Sequence, residues 1–160
     1  MADVTGSERG RDESEDERLD RKFNDLLQEL RVMQTGAQLT AGFLLTLPFQ
    51  DKFAELDGFQ VGLYLALVLL AAVSTALVTA PVAIHRHLSG RHVKQRLVAA
   101  AHRIVYAVIA CIALLIAGMV LLIWDVVTDR TWAAVAAGAV TAFLAVLLLA
   151  LPARLDEGAD

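Results

Sequence analysis

Leu26–Phe49 reads LLQELRVMQTGAQLTAGFLLTLPF, which opens as a charged amphipathic helix and closes as hydrocarbon-compatible sequence with no break before Pro48. Whether this stretch crosses a bilayer decides between three spans and four, and so decides where the two chain ends lie. Apolar or small residues recur at Leu19, Phe23, Leu26, Leu30, Met33, Ala37, Thr40, Leu44 and Leu47, with Thr40 the one polar member. Steps of four and three alternate without a slip, the rhythm of a left-handed helix-packing seam. The spacing predicts one continuous helix that leaves the membrane and projects into the cytoplasm. Its seam can pack on spans of the same chain or on copies of itself about a symmetry axis. A second row at the same spacing, Gln28, Arg31, Thr35, Gln38 and Gly42, occupies another face. An amide turned toward acyl chains costs more than one turned toward a partner or water, so this row is expected to avoid lipid.

The apolar part of this stretch is short. Sixteen residues from Val32 to Leu47 cover about 24 Å at 1.5 Å per residue, against a hydrocarbon core of roughly 30 Å. The span is therefore set at about 32–48, with Arg31 as the last charge before lipid, reaching back to the headgroups. Within it Gln34, Thr35, Gln38 and Thr40 are the candidates for a polar path or a packing contact.

Downstream, Val61–His85, Ile104–Trp124 and Thr131–Ala153 contain no Asp, Glu, Lys or Arg. Each holds about 20 apolar residues, enough to cross the hydrocarbon core, and a soluble helix is rarely apolar on every face for that length. Spans are expected at about 61–84, 104–124 and 132–151. Pro81 should kink or loosen the last turns of the second. Trp124 and Trp132 flank the DVVTDRT turn as interfacial aromatics do. Two small-residue series, Ala72/Ala76/Ala80 and Ala134/Gly138/Ala142, would let helix backbones approach closely.

The fold expected is all-α: a four-transmembrane-helix bundle with a long N-terminal amphipathic helix continuous with its first span. Residues 1–16 form an acidic tail of disordered composition with no apolar signal-peptide core. The membrane domain occupies 17–152 and a short tail 153–160.

Orientation follows from charge. The segment between the second and third spans carries Arg86, Arg91, Lys94, Arg96 and Arg103 and no acid, while the flanking loops are acidic. The positive-inside rule makes this segment cytoplasmic, and with an even number of crossings both termini lie there too, in the cell membrane. These five bases are the candidate contacts to anionic lipid, at about 1 kcal/mol each near the surface. The competing partner is the chain's own N-terminal helix, since residues 1–30 hold ten acids against five bases.

Catalytic patterns are missing. Cys111 stands alone mid-span, and no paired carboxylates, phosphate-binding glycine loop or HExxH motif occurs. His85, His87, His92 and His102 gather in the basic segment without an acid or cysteine beside them, which disfavours a metal. Ser74 and Thr75 are expected to bond the backbone one turn back. No enzyme activity, cofactor or metal is expected. Nucleic acid is not an expected partner, because the basic segment lacks interleaved aromatics. A proton- or sodium-coupled carrier would place ionisable groups inside the membrane, whereas the second, third and fourth spans contain no carboxylate and the first offers only Gln and Thr.

ERLDRKFNDLLQELRVMQTGAQ, FLLTLPFQDKF, APVAIHRHL and DVVTDR together resemble an uncharacterised family of small actinobacterial four-span membrane proteins, over roughly Glu17 to Arg130. Some members of that family bear a sodium:proton antiporter name. The resemblance implies a multi-pass membrane protein and supplies no functional residue to carry over. The leading expectation is a non-enzymatic, self-associating or accessory membrane module; the rival is a small ion channel or cation/proton antiporter-like transporter.

Overall fold

The computed structural model describes residues 15–88, 94–151 and 153–154, with side chains at 17–18, 20–83, 101–151 and 153–154. Four helices account for almost all of it, with no strand among the described residues. They are α1 Glu15–Thr46, α2 Gly58–Leu88, α3 Lys94–Val127 and α4 Arg130–Ala145. The tails expected at 1–16 and 153–160 lie mostly outside the described residues.

The seam of α1 is buried inside its own chain. Phe23, Leu26 and Leu30 pack with Val78 of α2 and with Ala101, Val105 and Val108 of α3. Leu44 joins a second cluster with Tyr64, Leu67, Ala71, Leu115 and Leu122. Ala37, 2% exposed, lies between the two. The 3-4 spacing thus did find a packing face, and of the two partners considered the structure has the intramolecular one. The N-terminal half of α1 therefore lies on the other two helices through Phe23, Leu26 and Leu30. Three apolar residues per two turns are enough to hold it on α2 and α3 while its acids and bases face outward.

α2 and α3 extend beyond the expected spans into the basic segment. The basic segment is mostly helix: α2 continues unbroken through Pro81 to Leu88, and α3 begins at Lys94. Lys, Arg and Gln are good helix formers, so a polar composition here marks the end of the lipid-compatible stretch rather than the end of the helix. Pro81 itself is buried and within α2. At 32, 31 and 34 residues, α1, α2 and α3 are close in length. Each exceeds a 30 Å hydrocarbon core by roughly 15 Å.

Local chemistry explains the other boundaries. Pro48 disfavours helical backbone at Leu47 and cannot donate to the helix. The chain accordingly tightens into 3-10 turns at Leu47–Phe49 and Asp51–Glu55. Phe53 of the second turn stacks edge-on against Tyr64 of α2, 5.0 Å between ring centres. Asp129 caps α4, accepting from the backbone N–H groups of Thr131 (2.8 Å) and Trp132 (3.2 Å). Beyond Ala145 the helix widens into a π turn at Val146–Ala150, just ahead of Pro152 in sequence.

α2 and α3 are in close contact at Gly118, where a Cβ would lie 2.5 Å from Leu67 Cδ2. α4 packs along its length on α3. It does so through Ala133, which is fully buried, with Ala136, Ala137, Val140 and Leu144 half-buried below it. The architecture is therefore a three-helix core of α1, α2 and α3 with α4 laid against one side. Both small-residue series face mostly outward, with open space over Gly138.

Three segments, Gly58–Ala83, Ala101–Val127 and Arg130–Ala150, are long and apolar enough to cross a membrane. This is consistent with a membrane protein. α1 falls short by composition, because Gln34, Thr35, Gln38 and Thr40 dilute its apolar half.

Among the described residues two polar ones are buried, Ser74 in α2 and Asp125 near the end of α3. Thr75 donates its hydroxyl to the Ala71 carbonyl at 2.9 Å, as expected. Ser74, beside it, does not follow: its Oγ is fully buried and has no hydrogen-bond partner. A hydroxyl that gains nothing from its surroundings still carries its desolvation cost. Ser74→Ala is expected to leave the thermal midpoint in detergent unchanged or to raise stability by up to about 1 kcal/mol. A clear drop in the midpoint would mean that the hydroxyl has a partner.

Candidate functional site

The turn between α3 and α4 meets the start of α2, and the two bring four polar side chains together. At the start of α2, Asp57 and Gln60 form a reciprocal cap. The Gln60 backbone N–H donates to Asp57 Oδ1 at 2.9 Å, and the Asp57 N–H donates to Gln60 Oε1 at 3.0 Å. This is a capping box written D-x-x-Q. It fixes the orientation of the Gln60 amide, whose Nε2 then donates to Asp125 Oδ2 at 3.0 Å.

Asp125 lies in the last turns of α3, its side chain only 3% exposed. Arg130, the first residue of α4, grips it with a fork: Nε donates to Oδ1 and Nη2 to Oδ2, both at 3.2 Å. The same Nη2 donates to Asp57 Oδ2 at 2.9 Å, and the guanidinium lies 4.0 Å from the centre of the Phe59 ring. An acid at a helix C-terminus and a base at a helix N-terminus each oppose the helix dipole. Placed this way, each offsets the penalty of the other, and the group clamps together the starts of α2 and α4 and the end of α3.

Both oxygens of Asp125 are occupied. Oδ1 accepts from Arg130 alone, and Oδ2 from both Arg130 and Gln60. The exposed carboxyl of Asp57 is held below its ordinary value, first by the Gln60 N–H and then by Arg130. A carboxyl lowered in the folded state lends stability above its unfolded pKa of about 4, and that stability is lost as pH falls through the lower folded value. Stability is therefore expected to decline as pH drops below about 4, and Asp57→Asn should flatten that part of the pH profile. An unaltered profile in the variant would contradict the cap's charge dependence.

Beside the clamp, Leu47, Phe53, Leu56, Leu122, Val126 and Val127 line an open apolar cleft of about 130 Å³, with Gln50 and Lys52 at it. Lys52 pairs with Glu55 at 3.6 Å.

The polar residues singled out in α1 are not brought together by the fold. Thr40 and Gln34 are half-buried at the edges of the seam, while Thr35 and Gln38 face outward with Gln28, Arg31 and Gly42. The Thr35 hydroxyl returns to the Arg31 carbonyl at 3.2 Å. The chain does not cover this row, because its own packing contacts have gone to the seam. Of the five basic candidates, Arg103 is exposed on α3, and the side chains of Arg86, Arg91, Lys94 and Arg96 lie outside the described residues. So do those of His85, His87 and His92; His102 stands edge-on to Tyr106 at 5.6 Å. Among the described residues no three of His, Cys, Asp and Glu group as metal ligands would.

The clamp was not legible from sequence, although one of its parts was. D-x-x-Q ahead of an apolar run is a helix-start signature. Asp125 and Arg130 were read as loop charges, and nothing local ties them to a residue 65 or more positions away.

Residues 12–152 match the model of a family described as a family of unknown function (DUF6328). No curated protein and no solved structure matches the chain.

Proposed function

The chain belongs to this family over almost its whole length, and from that premise we propose that it is a non-enzymatic integral protein of the cell membrane. In this reading it crosses the bilayer four times, keeps both ends in the cytoplasm, and self-associates or accompanies a larger membrane complex. The observation that carries it is the outward face of the fold. Leu65, Leu69, Leu114, Phe143 and Leu149 are 58–71% exposed along α2, α3 and α4. A contiguous apolar surface of this kind needs lipid or a partner.

α1 supports the fourth crossing by its packing rather than its composition. It lies against α2 and α3 through both apolar clusters. A helix held along two spans for this length traverses what they traverse. The acidic turns with Trp124 and Trp132 then face outside, and the basic helix ends face the cytoplasm, in reach of anionic headgroups.

A second reading, a small ion channel or cation/proton antiporter-like transporter, is favoured by one observation: Thr35 and Gln38 face outward, where copies of the chain could enclose them. Against coupled exchange, the buried carboxylate of Asp125 is already bound by Arg130 and Gln60. Purified protein in liposomes, assayed for proton-, sodium- or potassium-driven flux, is expected to be silent. Flux that disappears in Gln38→Leu would overturn the ranking.

A further inference from the structure

We propose that the outward row of α1 is a contact between two copies of this chain, with Gln38 bonding to Gln38 of a second copy across a two-fold axis. The proposal rests on the membrane reading above. It begins with depth. Gln38 lies eight residues beyond Leu30 and six before Leu44, the α1 members of the two core clusters. Those clusters occupy opposite halves of the apolar lengths of α2 and α3. Gln38 is thus near the middle of the hydrocarbon, while Arg31, about 10 Å away along the axis, can still reach headgroups.

At that depth Gln38 is exposed and makes no hydrogen bond with the described residues. Its neighbours on the face are already satisfied: Thr35 bonds the Arg31 carbonyl, and Thr46 bonds the Phe43 carbonyl at 2.7 Å. Two primary amides in this span make no hydrogen bond with the described residues, Gln34 half-buried and Gln38 exposed, and Gln38 is the one left to face lipid, where an unpaired polar group is costly. The occupant that answers it must both donate and accept at one point. A second glutamine does this, and a two-fold axis supplies one without a further gene product, because such an interface is built from the same patch twice.

Gly42, one turn on and on the same face, provides the clearance. Nothing lies within 4 Å of where its Cβ would be, so the chain itself has no use for its small size. Glycine inside a helix costs about 1 kcal/mol relative to alanine. Small residues beside a polar one are what close helix–helix contacts in a bilayer use. The seam is not available for this role, since it is consumed within the chain.

The test uses the full chain in native membranes with Cys111→Ala as background, so that one introduced cysteine reports alone. Gln38→Cys and Gly42→Cys should form disulfide-linked dimers under mild oxidation, whereas Leu65→Cys and Phe143→Cys, on other outward faces, should not. In the otherwise natural chain, Gln38→Leu should weaken self-association about 3- to 30-fold by detergent-corrected particle mass, and Gln38→Asn should restore part of it. Cross-linking at position 65 or 143 but not 38 or 42 would overturn this interface while leaving self-association standing. A particle that is monomeric, with no cross-link at any position, would overturn the interface and the self-associating form of the proposed function together.

Discussion

Arg130→Ala is expected to be the most damaging single polar substitution in the chain. It removes the fork on Asp125, whose side chain is 3% exposed, and leaves that carboxylate to Gln60 alone. A buried charge that loses its partner costs far more than the pair contributed. The thermal midpoint in detergent should fall on the order of 10 °C for a chain of this size. Arg130→Lys should recover only part of this, because an ammonium cannot supply two parallel donors while lying over Phe59. The decisive comparison is the double variant Arg130→Ala/Asp125→Ala. It should melt above Arg130→Ala, since the orphaned charge has gone. A double variant that melts at or below the sum of its parts would show that the clamp is not held by this pairing.

The second large effect is expected in α1. Leu30 and Leu44 are 2% and 1% exposed, one in each apolar cluster. Leu30→Ala and Leu44→Ala should each cost about 2–5 kcal/mol, from lost burial and the cavity left behind. Val32→Ala, at 74% exposure on the outer face, should change stability by no more than about 0.5 kcal/mol. The contrast matters because Leu30 sits in the charged half of the helix. Were that half a free cytoplasmic arm, Leu30→Ala would be as silent as Val32→Ala in a denaturant or thermal melt.

The seam illustrates what the sequence could and could not convey. Its positions, from Phe23 through Leu44, were readable from 3-4 spacing alone, and most of those described are buried. Its partner was not readable, because a helical repeat specifies a face and not what lies opposite. The apolar segments of α2, α3 and α4 were equally plain, since uninterrupted hydrophobicity over 20 residues has few other uses. A helix and its lipid-compatible stretch need not end together: His85, Arg86 and His87 close the apolar run of α2 without ending the helix. Side-chain satisfaction was legible only when local. Thr75 reaches its own preceding turn, whereas Ser74 next to it does not, and that difference is set by packing. The clamp of Asp57, Gln60, Asp125 and Arg130 joins residues from three helix ends. It needed a topology before it could be seen.

The same limit applies to α1 in the membrane. By composition three segments qualify as spans, whereas the packing of α1 on two of them argues for four. The two counts differ in one observable. With tags at residue 1 and residue 160, and with Asp51→Cys in a Cys111→Ala background to mark the turn after α1, labelling by a membrane-impermeant reagent should separate them. Four crossings predict that both tags are shielded in intact cells and reached in inverted vesicles, with position 51 labelled from outside. Tags reached from opposite sides, or position 51 reached only from within, would contradict the account.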